Sequence, residues 1–142
     1  MHPVIVTLEE GYTTTAEAGS HMWHADLPAE SGGSDYGPNP EEMTLGALGS
    51  CMSQTAMLYA NRKGWQVDEI QVQLTFERFR GDEYADYNGE AAFVHEVREH
   101  ITIKGDLTPE QERRVREIMT KCPIRRLLAN PVFFVEGQTV TI

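Results

Sequence analysis

A chain of 142 residues with an ordinary apolar content of 40% can bury a core of its own and reads as one domain over residues 1–142. Its formal net charge of −10 excludes nucleic acid and anionic membrane surfaces as natural partners, because both repel an acidic surface. No apolar run reaches membrane-spanning length, no basic stretch leads into an apolar one at the N-terminus, and two cysteines do not make a disulfide scaffold; the expectation is a cytoplasmic protein whose thiols carry redox or catalytic chemistry.

The first residues alternate between β-rich runs and turns. Val4 to Leu8, Tyr12 to Ala18 and His21 to Leu27 are the runs, and Gly11 and Gly19-Ser20 are the turns, which predicts an antiparallel meander. His21 and His24 are three apart and point to opposite faces of a strand, which argues against a shared metal. Either could line a pocket or lie on the surface. Pro28 to Pro40 is dense in Gly, Pro, Ser and Asp and predicts a loop, long enough to be of the functional kind.

Glu41 to Trp65 predicts the longest helix. Asn39 can cap it, Pro40 fits the first helical position, and Glu42 completes an Asn-x-x-Glu capping box. Gly64 is the stop. Leu45, Leu48, Met52, Thr55 and Tyr59 recur at helical spacing, with Ala47, Cys51 and Ala56 widening the stripe. No charge appears between Glu42 and Arg62, as expected of a core helix. Gly46, Ala47, Gly49, Ser50 and Cys51 are all small, and each glycine costs about 1 kcal/mol of helix propensity, so a close backbone approach is expected there. Cys51 is then either a contact-point thiol or a small buried residue.

Val67 to Arg80 alternates, with Ile70, Val72, Leu74 and Phe76 on one face of a half-buried strand. Gly81 to Ala91 is acidic and polar and predicts a mobile hairpin loop. Ala92 to Lys104 alternates again and places His95 and Glu99 on its apolar face, where polar groups need partners or the sheet edge meets solvent. Thr108, Pro109 and Gln111 open a second helix with a capping box, and Val115, Ile118, Met119 and Cys122 form its apolar stripe. Pro123 breaks that helix and Ile124 to Ala129 restarts it, so Cys122 falls at a helix N-terminus, where the dipole favours a thiolate. Val132 to Val135 and Thr139 to Ile142 predict two closing strands joined at Gly137-Gln138. The sum is an α+β fold. So apolar a helix in so small a chain predicts a homodimer that covers it from both sides.

The stretches GPNPEEMTLGALGSCMSQTAMLYANRKGW and LTPEQERRVREIMTKCPIRRLLANPVFFV, with the Cys51 and Cys122 pair, resemble the OsmC/Ohr family of thiol-dependent peroxidases. The likeness covers nearly the whole chain. The Gly32-Gly33 to Gly37-Pro38 loop and the CPIRRLL step are nearer the OsmC-like branch than the Ohr branch. The resemblance implies an OsmC-like fold with antiparallel sheets wrapped around long central helices in an intertwined dimer, and active sites at the subunit interface. It implies that Cys51 is peroxidatic, attacking an organic hydroperoxide to become a sulfenic acid, and that Cys122 resolves it to a disulfide. An external dithiol, a lipoyl protein on the Ohr side of the likeness, reduces that disulfide, and no cofactor is needed. The family's carboxylate matches Glu41, ten residues before Cys51. Ten helical residues rise about 15 Å, so Glu41 reaches the thiol only through an intermediary, across the dimer or from a displaced first turn. As a first-turn carboxylate it also suits a helix N-terminus with no further role.

One departure is plain. The family pattern activates its thiol with an arginine near the N-terminus, and this chain has no Arg or Lys before Arg62. Arg125, Arg126, His21 and His24 are the candidates to replace it. Two other readings stand beside the peroxidase: a small-molecule-binding or redox-sensing module that keeps the fold without efficient chemistry, favoured by the missing arginine, and a cysteine hydrolase, which needs a histidine beside Cys51.

Overall fold

The computed structural model describes residues 2–137. The β-branched and aromatic runs at the start form the predicted meander. β1 (Ile5–Leu8), β2 (Thr14–Ala18) and β3 (His21–Ala25) pair antiparallel in that order, with Ala16 between Val6 and Trp23. Gly11 and Gly19 turn the chain at φ of 68° and 62°, a left-handed conformation that side chains with a Cβ resist.

The loop after β3 is tied down by one carboxylate. Asp26 is buried and accepts from the Leu27 N–H at 2.8 Å, the Ser34 N–H at 3.1 Å, the Ser34 hydroxyl at 2.6 Å and the Tyr36 N–H at 3.2 Å. A short 3-10 turn, Ala29–Ser31, lies inside the closed loop. Gly33 passes so close to the Leu27 carbonyl that a Cβ would overlap it. The sequence signalled a loop here and missed Asp26 as its organiser.

α1 (Pro40–Lys63) begins as predicted. The Asn39 N–H donates to Glu42 Oε2 and the Glu42 N–H to Asn39 Oδ1, both at 2.9 Å. Gly64 ends it at φ of 68°. The buried stripe is Leu48, Met52, Ala56 and Ala60, one residue per turn. It is narrower than expected, because Ala47 is exposed and Cys51 half-buried. Leu58 is 59% exposed, so this chain alone leaves part of the apolar helix uncovered. Among the described residues, no backbone is the close neighbour of either helical glycine. A Cβ on Gly49 would meet the Leu74 and Val72 side chains at 3.4 and 3.9 Å, and one on Gly46 would meet no described atom within 4 Å.

β4 (Gln66–Arg80) and β5 (Phe93–Asp106) form a two-stranded sheet. Their connection is better bonded than its acidity suggests. The Gly81 N–H donates to the Ala92 carbonyl at 2.9 Å, and the Tyr84 hydroxyl lies 3.0 Å from Glu96 Oε2. α2 (Pro109–Met119) opens on the predicted Thr108/Gln111 capping box, and α3 (Pro123–Ala129) restarts after Cys122 with Pro123 in its first turn. No helix among the described residues is long and apolar enough to cross a membrane.

The described residues divide into two compact units, one built from residues 2–47 with Thr75–Val97, the other from Leu48–Leu74 with residues 98–137. The second has the larger core. Leu48, Met52, Ala56, Val115, Met119 and Cys122 are buried together, with Trp65, Ile70, Val72, Leu74, Ile101 and Ile103 packed around them. Arg116 fastens α2 to β5 by donating to the Ile101 carbonyl at 2.9 Å. Tyr59 and Trp65 meet edge-on at 5.7 Å in this unit, whereas Trp23 lies on β3 in the first.

The strand expected over Val132 to Val135 does not form. Residues 131–137 have no regular structure, and Phe133 and Phe134 are 86% and 95% exposed. β-propensity makes a strand only where a ladder partner accepts its N–H groups, and no described strand of this chain pairs with it. The strand expected over Thr139 to Ile142 lies outside the described residues.

Candidate active site

Two cysteines far apart in sequence meet in the second unit. Cys51 lies on the central turns of α1, half-buried against the core cluster, and Cys122 is wholly buried at the junction of α2 and α3. Cys51 packs against the buried cluster that contains Cys122, and both are free thiols. The fold brings them together by simple means. Leu48, Met52 and Ala56 turn the α1 stripe toward Val115 and Met119 of α2. One turn beyond Met119, the Cys122 N–H closes α2 on the Met119 carbonyl at 3.3 Å.

Cys122 is also the N-cap of α3. Its φ of −63° and ψ of 146° are extended, and Sγ accepts from the Arg125 N–H at 3.3 Å. The expected effect of this position on its acidity is overturned. Burial pushes the Cys122 thiol up from its ordinary value, the Arg125 N–H pulls it back in part, and the neighbouring Cys51 raises it further. Desolvation of a wholly buried sulfur outweighs the N–H groups of a short helix. Burial therefore makes Cys122 a less acidic thiol than a solvated one.

Beside this cap lies a pair of charges. Glu99, on β5, is paired with the guanidinium of Arg125, with side chains 19% and 38% exposed. Glu99 is thus the polar group on an apolar face whose partner the strand pattern asked for. His95, the other such group, is exposed and stacks on Phe76 at 4.9 Å.

The remaining candidates sort clearly. Arg126 is exposed on α3. His21 is exposed, and His24 shares a 3.2 Å hydrogen bond with Thr15 and meets Tyr36 edge-on. Glu41 is exposed in the first turn of α1. That helix is unbroken from Pro40 to Lys63, so the rise of about 15 Å expected between Glu41 and Cys51 stands. No first-turn displacement shortens it.

The arrangement has the parts of a dithiol centre: a half-buried thiol, a buried thiol in the cluster it packs against, apolar walls, and an ion pair at the buried thiol's helix. The OsmC-like protein family model matches residues 32–136, a stretch that includes both cysteines, Glu99 and Arg125. No curated protein matches the chain in sequence. Among solved structures, the OsmC-like protein from Mycoplasma pneumoniae is 20% identical with a TM-score of 0.72, covering 91% of this chain and 87% of its own. The organic hydroperoxide resistance protein OsmC from Legionella pneumophila is 18% identical with a TM-score of 0.63, covering 90% of each chain. An organic hydroperoxide resistance protein from Elizabethkingia anophelis is 21% identical with a TM-score of 0.62, covering 89% of this chain and 88% of its own. At these identities the likeness is one of fold.

Proposed function

The chain belongs to the OsmC-like protein family, and from that membership we propose that it is a thiol-dependent peroxidase for organic hydroperoxides. The observation that carries this reading is the packing of a half-buried Cys51 against the apolar cluster that holds a wholly buried Cys122. Accessibility supports Cys51 as the attacking thiol and Cys122 as the resolving one in this proposal. The Cys51 thiolate attacks the outer peroxide oxygen, the O–O bond breaks, and Cys51 becomes a sulfenic acid while the alkoxide takes a proton and leaves as alcohol. Cys122 then attacks the Cys51 sulfur. The S–O bond breaks, hydroxide leaves with the Cys122 proton as water, and a disulfide remains. An external dithiol of the lipoyl type returns both thiols. The half-buried faces of Leu74, Ile101 and Ile103 near the cysteines favour an apolar peroxide over hydrogen peroxide.

The working form in this proposal is one OsmC-like domain over residues 1–142, cytoplasmic, and a homodimer. Leu58 on α1 and the Val132 to Val135 run are the exposed apolar surfaces that favour a second copy. Glu41 enters the scheme as the family's carboxylate only from across that dimer, since its own helix carries it away from Cys51.

Intact-mass spectrometry of the reduced protein after one equivalent of cumene hydroperoxide tests the reading, with Cys51→Ser alongside. The expected result is rapid loss of two hydrogens in the wild type and none in the variant. No change in the wild type over minutes refutes it. That outcome selects the second reading, a binding or redox-sensing module, which the absence of any Arg or Lys before Arg62 favours.

A further inference from the structure

α3 is a short helix with few holds. It fully buries none of its own residues, so packing alone fixes its place weakly. Yet its first turn determines where the Cys122 sulfur lies, because that sulfur is the N-cap acceptor of the Arg125 N–H. Arg125 thus makes two different connections. Its backbone bonds the sulfur of Cys122, and its guanidinium bonds the carboxylate of Glu99 on β5. β5 is in turn fastened to α2 through the Ile101 carbonyl and Arg116. The start of α3 is therefore referenced to the sheet by one side chain. A carboxylate with most of its surface removed from water on a strand that continues into Ile101 and Ile103 is costly to keep there without such a partner.

We propose that Glu99 is a positioning residue for disulfide closure: by holding Arg125 it fixes the first turn of α3 so that the Cys122 sulfur meets the Cys51 sulfur. The inference rests on the reading of Cys122 as the thiol that resolves Cys51, and does not depend on what oxidises Cys51. Disulfide closure demands a sulfur–sulfur distance near 2.05 Å and a narrow dihedral range, so sub-ångström drift of α3 slows it. The attack on an oxidant by Cys51 makes no such demand on α3.

The test uses 5,5′-dithiobis(2-nitrobenzoate) on the reduced full-length protein, so that peroxide chemistry plays no part. Cys51, the accessible thiol, takes one thionitrobenzoate and releases the first. The Cys122 thiol then loses its proton to solvent and attacks the Cys51 sulfur. The mixed disulfide breaks, the Cys51–Cys122 bond forms, and a second thionitrobenzoate leaves with the electron pair. Glu99→Gln is expected to leave the first release within about twofold of wild type and to slow the second at least tenfold. The charge-exchanged double variant Glu99→Arg with Arg125→Glu is expected to regain most of that loss, which a merely structural defect in Glu99→Gln would not predict. An unchanged second release in Glu99→Gln overturns the inference, as does a double variant no faster than the single one. Where Glu99→Gln is too unstable to assay, Arg125→Lys replaces it; it keeps charge and backbone N–H but loses the guanidinium geometry, and a wild-type second release there also overturns the inference. A wild type inert to cumene hydroperoxide that still closes its disulfide with this reagent removes the peroxidase reading and leaves the role of Glu99 standing.

Discussion

Cys122→Ala removes two stabilising contributions at once, and Cys122→Ser separates them. The sulfur is the α3 N-cap acceptor, and loss of an N-cap costs about 0.5–2 kcal/mol. It is also a wholly buried group in the core, and deleting one buried heavy atom with partial collapse costs roughly 1 kcal/mol more. The alanine variant should therefore lose about 1.5–3 kcal/mol. In a chain of 142 residues that lowers Tm by about 5–10 °C. Serine keeps the acceptor, and a hydroxyl caps better than a thiol, but it places a more polar atom among Met52, Val115 and Met119. It should recover about half of the loss. Urea unfolding of the reduced proteins, with the slope of the transition compared across all three, measures this. A serine variant no more stable than alanine would refute the capping argument. Both variants should also stop at the Cys51 sulfenic acid, which dimedone traps as a stable adduct.

Gly49→Ala should stabilise the protein by up to roughly 1 kcal/mol, because its new Cβ meets Leu74 and Val72 at ordinary contact distance and the helix gains propensity. A thermal melt showing a drop of several degrees would restore the idea of a close backbone approach. Asp26→Asn should unfasten the loop after β3 in a pH-dependent way. The Ser34 hydroxyl above all, with the Tyr36, Leu27 and Ser34 N–H groups, holds the Asp26 carboxyl well below its ordinary value of 3.8. A depressed carboxylate contributes its stability fully above the ordinary value and loses it as pH falls through the depressed one. The stability gap between wild type and variant should be level from about pH 5 to 8 and narrow below about pH 4, as followed by denaturation at each pH. A gap that stays level into strong acid would show that the charge is not what holds the loop.

Local signals in the sequence carried furthest where the physics is local. The Asn39/Glu42 and Thr108/Gln111 boxes, the Gly64 stop and the Pro123 restart each depend on a few adjacent residues, and all four are in the structure. The meander and the two long strands followed from alternation and turn residues. What failed was what depends on distant partners. Val132 to Val135 has strand composition without a ladder to join. The acidity of Cys122 depends on how deeply its surroundings bury it, which the spacing around Pro123 does not encode. Asp26 fell at the end of the predicted run His21 to Leu27 with nothing to mark it, because its donors at Ser34 and Tyr36 are eight and ten positions away. Glu99 was the intermediate case. Alternation marked it as a polar group on an apolar face, and only the fold named Arg125 as its partner.

The placing of the aromatic rings has a use of its own. The chain has two tryptophans, and they fall in different units, Trp23 on β3 and Trp65 packed on the core that holds both cysteines. Trp65 also meets the Tyr59 ring, which has Arg114 and Lys63 over it at 5.6 and 5.7 Å. Intrinsic fluorescence is therefore a two-channel optical record. With Trp23 replaced by phenylalanine, the emission follows the thiol-bearing core alone. With Trp65 replaced, it follows the meander. The state of the sulfurs can then be watched in real time without attaching a dye to either of them.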